Sequence, residues 1–209
     1  MMRGLLLKDI YMAAKYCRAY LLLAVVFIPV SFASSENLFM IFYPCLLCGM
    51  IPVNLLGYDE RSRWLSYSQT MPYSRAQIVN AKYIMGLGAQ IIMIILTGIA
   101  QAIRMSTQGI FQLQGYLVLM LLLLVMSLLS SSITLPFMFK LGVEKGRMAY
   151  YITIGIVCGG SVVVSRMLTG KTSAQIELNS TLLLLALIGV AIYALSWYLS
   201  IVFFKKREL

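Results

Sequence analysis

The sequence predicts an all-α membrane protein: six transmembrane helices, an interfacial amphipathic helix ahead of them, and a short cytoplasmic helix between spans two and three. Three observations predict it. The 209 residues are 61% hydrophobic and 11% charged, whereas soluble domains stand nearer half and a quarter, and the mean hydropathy is +0.88. Six apolar stretches approach the roughly 20 residues that a helix needs to cross a bilayer core. The 17 Lys and Arg residues fall in blocks between those stretches. No water-soluble fold of this length hides so much apolar surface, so residues 1–209 are read as a single membrane domain.

The first element is residues 1–18, "MMRGLLLKDIYMAAKYCR". On a helical wheel Arg3, Gly4, Lys8, Tyr11, Lys15 and Arg18 share one broad side, and Leu5, Leu6, Ile10, Met12, Ala13 and Cys17 share the other. That pattern predicts a helix lying in the interface, with its apolar side in the lipid boundary and its basic side in water. Asp9 falls inside the apolar arc. Either it pairs with a cation from another cytoplasmic segment, or the helix tilts and Asp9 stays wet. Charges recur where a small-residue cleavage site would stand, so a cleavable signal peptide is not expected.

The spans follow at Ala19–Ala33, Leu38–Gly57, Tyr83–Ile103, Tyr116–Phe139, Ala149–Leu168 and Thr181–Phe204. In lipid every backbone polar group must be paired within the segment or the barrel. Runs such as "LVLMLLLLVMSLL" lack the alternation of a barrel strand, so helix wins. Gly86, Gly88, Gly155, Gly159 and Gly160 are small residues that allow helices to approach closely. Pro29, Pro44, Pro52 and Pro136 kink helices or mark their ends.

Between spans two and three stands "YDERSRWLSYSQTMPYSRAQ", residues 58–77, the most polar insertion in the chain. "DERSRWLSYSQ" predicts a short helix, with Trp64 at headgroup level. A break follows at Pro72. Ser74 and Gln77 fit a capping box, so a new helix should begin near Ser74 and run unbroken to Ile103. Its length is about 45 Å at 1.5 Å per residue, more than a core of about 30 Å, so its first turns should stand in the cytoplasm. A helix hairpin needs only a few residues. The longer insertion, with Trp64, Tyr67 and Tyr73 among its charges, suits a protein interface; the plainer reading is a solvated loop that fixes topology. The connection Lys140–Met148, "KLGVEKGRM", is either a topology anchor or a second, smaller contact.

Orientation follows from the cations. The N-terminal segment, the 58–77 insertion with its flank, the connection after span four and the C-terminus hold all of them except Arg104, Arg166 and Lys171. Both termini and the insertion are therefore expected in the cytoplasm. The net charge of +10 is thus topological and suits anionic headgroups rather than nucleic acid.

Several chemistries are excluded. With no His, most zinc hydrolases and the Ser–His and Cys–His nucleophile systems fall away. Cys45 and Cys48 form a C-x-x-C inside a span, with no second pair and no preceding strand, and read as buried small residues rather than a redox or zinc site. Acidic residues lie outside the spans, whereas ion-coupled carriers bury ionisable groups in the membrane. The spans offer hydroxyls, thiols, thioethers and the amide of Asn54. "SRMLTGKTS" ends like a phosphate-binding loop but has Ser165 where the pattern needs Gly. ATP binding by this chain is not expected.

The "LLLKDIYM" of the first helix and the run "DERSRWLSYSQTMPYSRAQIVNAKYI" carry a resemblance. Lys8-Asp9, Asp59-Glu60, Trp64, Pro72-Tyr73-Ser74-Arg75 and Ala81-Lys82-Tyr83 are similar to motifs of the bacterial type-2 ABC transporter permeases, and the likeness covers nearly the whole chain. It implies the transmembrane subunit of an ATP-driven exporter in the bacterial cell membrane. Two permease chains, identical or homologous, would form the path, each docking a separate cytoplasmic ATP-binding subunit. ATP and Mg would sit on that subunit, with no cofactor on this chain and no enzyme activity of its own. Residues 58–77 would be the coupling segment. Asp59, Glu60, Arg61, Arg63 and Trp64 would contact the ATPase, with Arg75 at the elbow. Lys8, Asp9 and Lys15 would mark the interfacial helix beside it. Small members often export peptides or drugs, and spans without charge suit an apolar or amphipathic cargo. Two other classes stay open: a self-sufficient ion-coupled carrier, and an intramembrane peptide-processing enzyme.

Overall fold

The computed structural model describes residues 2–33, 38–71, 73–109, 112–148, 150–155, 159 and 180–206. Among them every regular element is a helix: α1 (Met2–Tyr16), α2 (Arg18–Ala33), α3 (Leu38–Arg61), α4 (Trp64–Tyr67) with a 3-10 turn at Ser68–Thr70, α5 (Arg75–Thr107), α6 (Leu113–Leu141), helical residues 143–148 and 150–155 (α7), and α8 (Ser180–Lys206).

Four helices are long and apolar enough to cross a membrane, at Ile41–Arg61, Arg75–Thr107, Leu113–Leu141 and Ala186–Lys206. They match the second, third, fourth and sixth expected spans. The first expected span is a helix of 16 residues, about 24 Å long at 1.5 Å per residue. Most of the fifth, 149 and 156–168 apart from 159, lies outside the described residues.

The helix α3 is the axis of the bundle. It packs against α2, α5 and α6 and touches α1 and α4. Nearly all of its side chains from Ile41 to Leu56 are buried, and this explains Cys45 and Cys48, which sit in the apolar core with Ile51 and Leu55. The outer helices keep apolar faces outward, through Ile91, Ile95 and Ile99 on α5 and Leu187, Ile188 and Leu195 on α8. Lipid covers such faces without cost.

Polar side chains stitch the helices. Tyr83 Oη lies 2.9 Å from Ser196 Oγ and 2.6 Å from Ser200 Oγ, joining α5 to α8. Trp197 Nε1 donates to Asn80 Oδ1 at 2.7 Å, and its ring stacks on Tyr83. Ser196 Oγ donates to the Ser132 carbonyl at 2.8 Å, joining α8 to α6. Other hydroxyls of α6, at Ser132 and Thr134, donate to carbonyls one turn back, so lipid meets no unpaired group there.

Of the glycines expected at close approaches, Gly86 alone meets a neighbour: an added Cβ would lie 3.2 Å from Pro52 Cγ. Gly88, Gly155 and Gly159 face open space, and Gly160 lies outside the described residues. The tightest backbone approach is Gly146, whose Cβ would stand 2.9 Å from Met138 Cα. Gly142, at φ 85, makes the reversal that folds α7 back on α6, in a region that favours glycine. Pro29, Pro44, Pro52 and Pro136 all lie inside helices.

Candidate functional site

The polar insertion folds differently from the expected single short helix. Tyr58, Asp59, Glu60 and Arg61 extend α3. The helix then closes through Ser62 N–H to the Tyr58 carbonyl and Arg63 N–H to the Glu60 carbonyl. Arg63 stops it with a left-handed backbone, φ 53. The one-turn α4 follows, pinned by buried Leu65 and by the Ser68 hydroxyl on the Leu65 carbonyl. The rod expected from Ser74 is present. Ser74 Oγ accepts from Gln77 N–H, the Gln77 side chain accepts from Ser74 N–H, and α5 runs unbroken for 33 residues.

At the base of this rod lies a closed ring of four charges. Lys82 Nζ is 2.8 Å from Asp9 Oδ1 and 2.6 Å from Asp59 Oδ2. Lys8 Nζ is 2.8 Å from Asp59 Oδ1 and 3.3 Å from Asp9 Oδ1. Asp9, Asp59 and Lys82 side chains are each 1% exposed, and Lys8 is 25% exposed. The ring joins α1, the end of α3 and the second turn of α5. Lys8 Nζ also stands 3.4 Å over the Trp64 ring, a cation–π contact that adds α4. The four charges sum to zero. Each buried ion would cost several kcal/mol alone, and each cation here meets two carboxylates, the arrangement that offsets such a cost.

Asp9 thus takes the paired alternative, and α1 is rolled to suit. Its buried stripe is Leu5, Asp9 and Ala13, spaced by four and facing α5, α2 and α3. Leu7 and Ile10, in contrast, are about half exposed. Lys15 is exposed and lies 5.4 Å from the Tyr16 ring centroid. Tyr16 stacks on Tyr58 of α3. At the α1–α2 junction burial pushes the Cys17 thiol up, against the pull of the Lys82 charge, so it is neutral at pH 7.

Two further bonds close this end of the bundle. The Glu60 carboxylate accepts from Val143 N–H at 3.1 Å, at the start of α7, where a negative charge suits a helix N-terminus. The Arg75 guanidinium donates to the Lys205 carbonyl at 2.9 Å and the Phe204 carbonyl at 3.4 Å, satisfying the last turn of α8. The start of α1, the end of α3, α4, the starts of α5 and α7 and the end of α8 therefore share one end of the molecule. Arg61 and Arg63 are exposed there. Arg61 borders a crevice of about 620 Å³ with Gly57, Glu60, Glu144, Lys145 and Arg147.

Of the residues singled out in sequence, Lys8, Asp9, Asp59 and Trp64 come together. Glu60 and Arg75 bond to neighbouring elements. Arg61, Arg63 and Lys15 stay at the surface. Lys82 was missed as a site residue, although Asp9 on an apolar arc signalled a missing cation. Gln90 was missed as well. It is buried in the third span and donates to the Ser127 carbonyl at 3.0 Å and Ser131 Oγ at 2.6 Å.

Long apolar helices, an amphipathic helix locked to the base of the bundle and a charged elbow between the second and third expected spans define a multi-pass membrane transport subunit. A family model described as "ABC-2 family transporter protein" matches residues 4–205. The chain belongs to that family and is an ABC transporter permease subunit, which implies an ATP-binding subunit as its partner. No curated protein and no solved structure matches the chain.

Proposed function

We propose that this permease is the membrane half of an ATP-driven exporter, working as a pair of permease chains, each docked to one ATP-binding subunit. In this reading six spans cross a bacterial inner membrane, with both termini and the α3–α5 elbow in the cytoplasm. ATP and Mg act on the partner, and the cargo is apolar or amphipathic, a peptide or a drug. One observation carries the coupling role: the buried ring at Lys8, Asp9, Asp59 and Lys82. A push on α4 or α1 reaches the base of α5 through ion pairs that cannot loosen without stranding a buried charge. Trp64 passes force from α4 to Lys8, and α5 carries it into the membrane as a rod about 50 Å long at 1.5 Å per residue. Asp59 and Trp64 then act as internal links, while Arg61 and Arg63 face the ATPase. The asymmetry of the cations supports the orientation.

The test is reconstitution in proteoliposomes with the ATP-binding subunit, measuring uphill efflux of a candidate amphipathic peptide. Transport should require both chains and ATP. Lys82→Arg should keep cargo-stimulated ATP hydrolysis, and Lys82→Met should lose it while ATP-binding subunits stay bound. Uphill transport by the permease alone, driven by a proton or sodium gradient, would instead establish the ion-coupled reading, for which the buried carboxylates of the ring are the observation in favour.

A further inference from the structure

The acidic pair of the elbow is turned inward. Asp59 is held by Lys8 and Lys82, and Glu60 accepts the Val143 amide. The two arginines that alternate with them in sequence face outward. Among the described residues, neither the Arg61 nor the Arg63 guanidinium meets a carboxylate or a carbonyl. The elbow of α3 and α4 therefore presents to water a surface of one sign, with Tyr67 beside it at 59% exposure. A second observation concerns Arg63 alone. Its φ of 53 is the positive value found among the described non-glycine residues, a backbone that favours glycine. An arginine stands where the fold itself would be relieved by its removal, so its use lies outside the fold.

We infer that this elbow docks in an acidic groove of the ATP-binding subunit, whose carboxylates pair with Arg61 and Arg63 and whose floor receives the Tyr67 ring. The inference rests on the coupling role proposed above and adds the chemistry of the receiving surface. Arginine suits such a contact because its planar fork binds a carboxylate through two parallel hydrogen bonds, and tyrosine adds apolar area with a polar tip. The crevice behind Arg61, bordered by Lys145 and Arg147 as well as Glu144, widens the basic rim. A docked acidic segment would meet no uncompensated acid from the elbow, because Glu60 is spent on α7. Anionic lipid headgroups share the carboxylate's charge, but Tyr67 and the left-handed turn favour a shaped protein groove over a planar field.

The experiment uses the full-length permease and the ATP-binding subunit recovered with it from native membranes, with affinity measured in a neutral, lipid-free detergent. Wild-type docking should weaken as NaCl rises from about 50 to about 500 mM, where exposed charges become screened. The double variant Arg61→Glu/Arg63→Glu should bind at least about tenfold more weakly, because like charges then face one another. Arg61→Lys/Arg63→Lys should bind far better than the reversal. The single variant Arg63→Gly separates interface from fold: its thermal midpoint should hold or rise while docking falls. Elution as a single species and an unchanged thermal midpoint show that each variant is folded. If the wild type docks but is indifferent to salt and to charge reversal, the acidic groove is overturned and the coupling role stands. If the reversal docks normally in detergent and loses only its affinity for phosphatidylglycerol vesicles over phosphatidylcholine ones, the occupant is a headgroup and the inference is overturned. If the wild type binds no ATP-binding subunit, the coupling role and this inference fall together.

Discussion

Lys82 shows how much can depend on one side chain. Its ammonium is the only ring cation with no exposure to speak of, and it faces both carboxylates. Lys82→Met leaves Asp9 and Asp59 to share Lys8, stranding a negative charge away from water. The expected loss is about 3–5 kcal/mol, the range for breaking a buried pair from one side. Removing charge in balance, as in Asp9→Asn/Lys82→Met, should recover much of it. Thermal unfolding in detergent checks both, and an unchanged midpoint in Lys82→Met would mean that no ring forms. Little of this was legible beforehand. Asp9 on an apolar arc announced an unmet need, but its partner lies 73 residues away, and no local pattern reports a contact at that range. Asp59 read as an interface residue because its neighbours are charged. Only the packing of α3 shows it facing inward. Gln90 was overlooked for the opposite reason: an amide amid Ile and Leu breaks no pattern.

At the scale of the element, the features set by local chemistry were the legible ones. The capping box at Ser74 and Gln77 was predicted from four residues and is present with both of its hydrogen bonds, because every group involved lies within one turn. Ser74→Ala should cost about 1 kcal/mol. The cost should appear as local fraying, with the Gln77 and Ile78 amides exchanging hydrogen roughly fivefold faster, the factor that matches such an energy, while Trp197 and Tyr83 keep their stack. Hydrogen exchange followed by mass spectrometry measures it, and unaltered exchange at those amides would remove the cap from the account of how α5 begins. The short helix expected from Asp59 missed by one turn. Sequence gave no sign that α3 would continue past its apolar run, since the reason is tertiary: Asp59 must reach Lys82, and the helix stops only where Arg63 turns left-handed.

Across the whole molecule, the cations are gathered by contact as well as by sequence. The bonds from Asp9, Glu60 and Arg75 put the starts of α1, α5 and α7 and the ends of α3 and α8 on one side, the side that the distribution of Lys and Arg assigns to the cytoplasm. Single cysteines placed at Ser66 and Lys206, in a background without the native four, should resist a membrane-impermeant maleimide in intact spheroplasts and react after lysis. One at Gln108, at the far end of α5, should react in both. Labelling of Ser66→Cys from outside would invert the topology.

The ring also dictates an order of birth. Lys8 and Asp9 leave the ribosome first, Asp59 much later, and Lys82 last. Until that final cation emerges, two carboxylates share a single counter-charge at the edge of the bilayer. The newborn N-terminal helix therefore has to wait, unsettled, for the third span to arrive before it can be fastened down. A chain halted between Asp59 and Lys82 carries an unpaid acid, and quality-control proteases would meet it as unfinished.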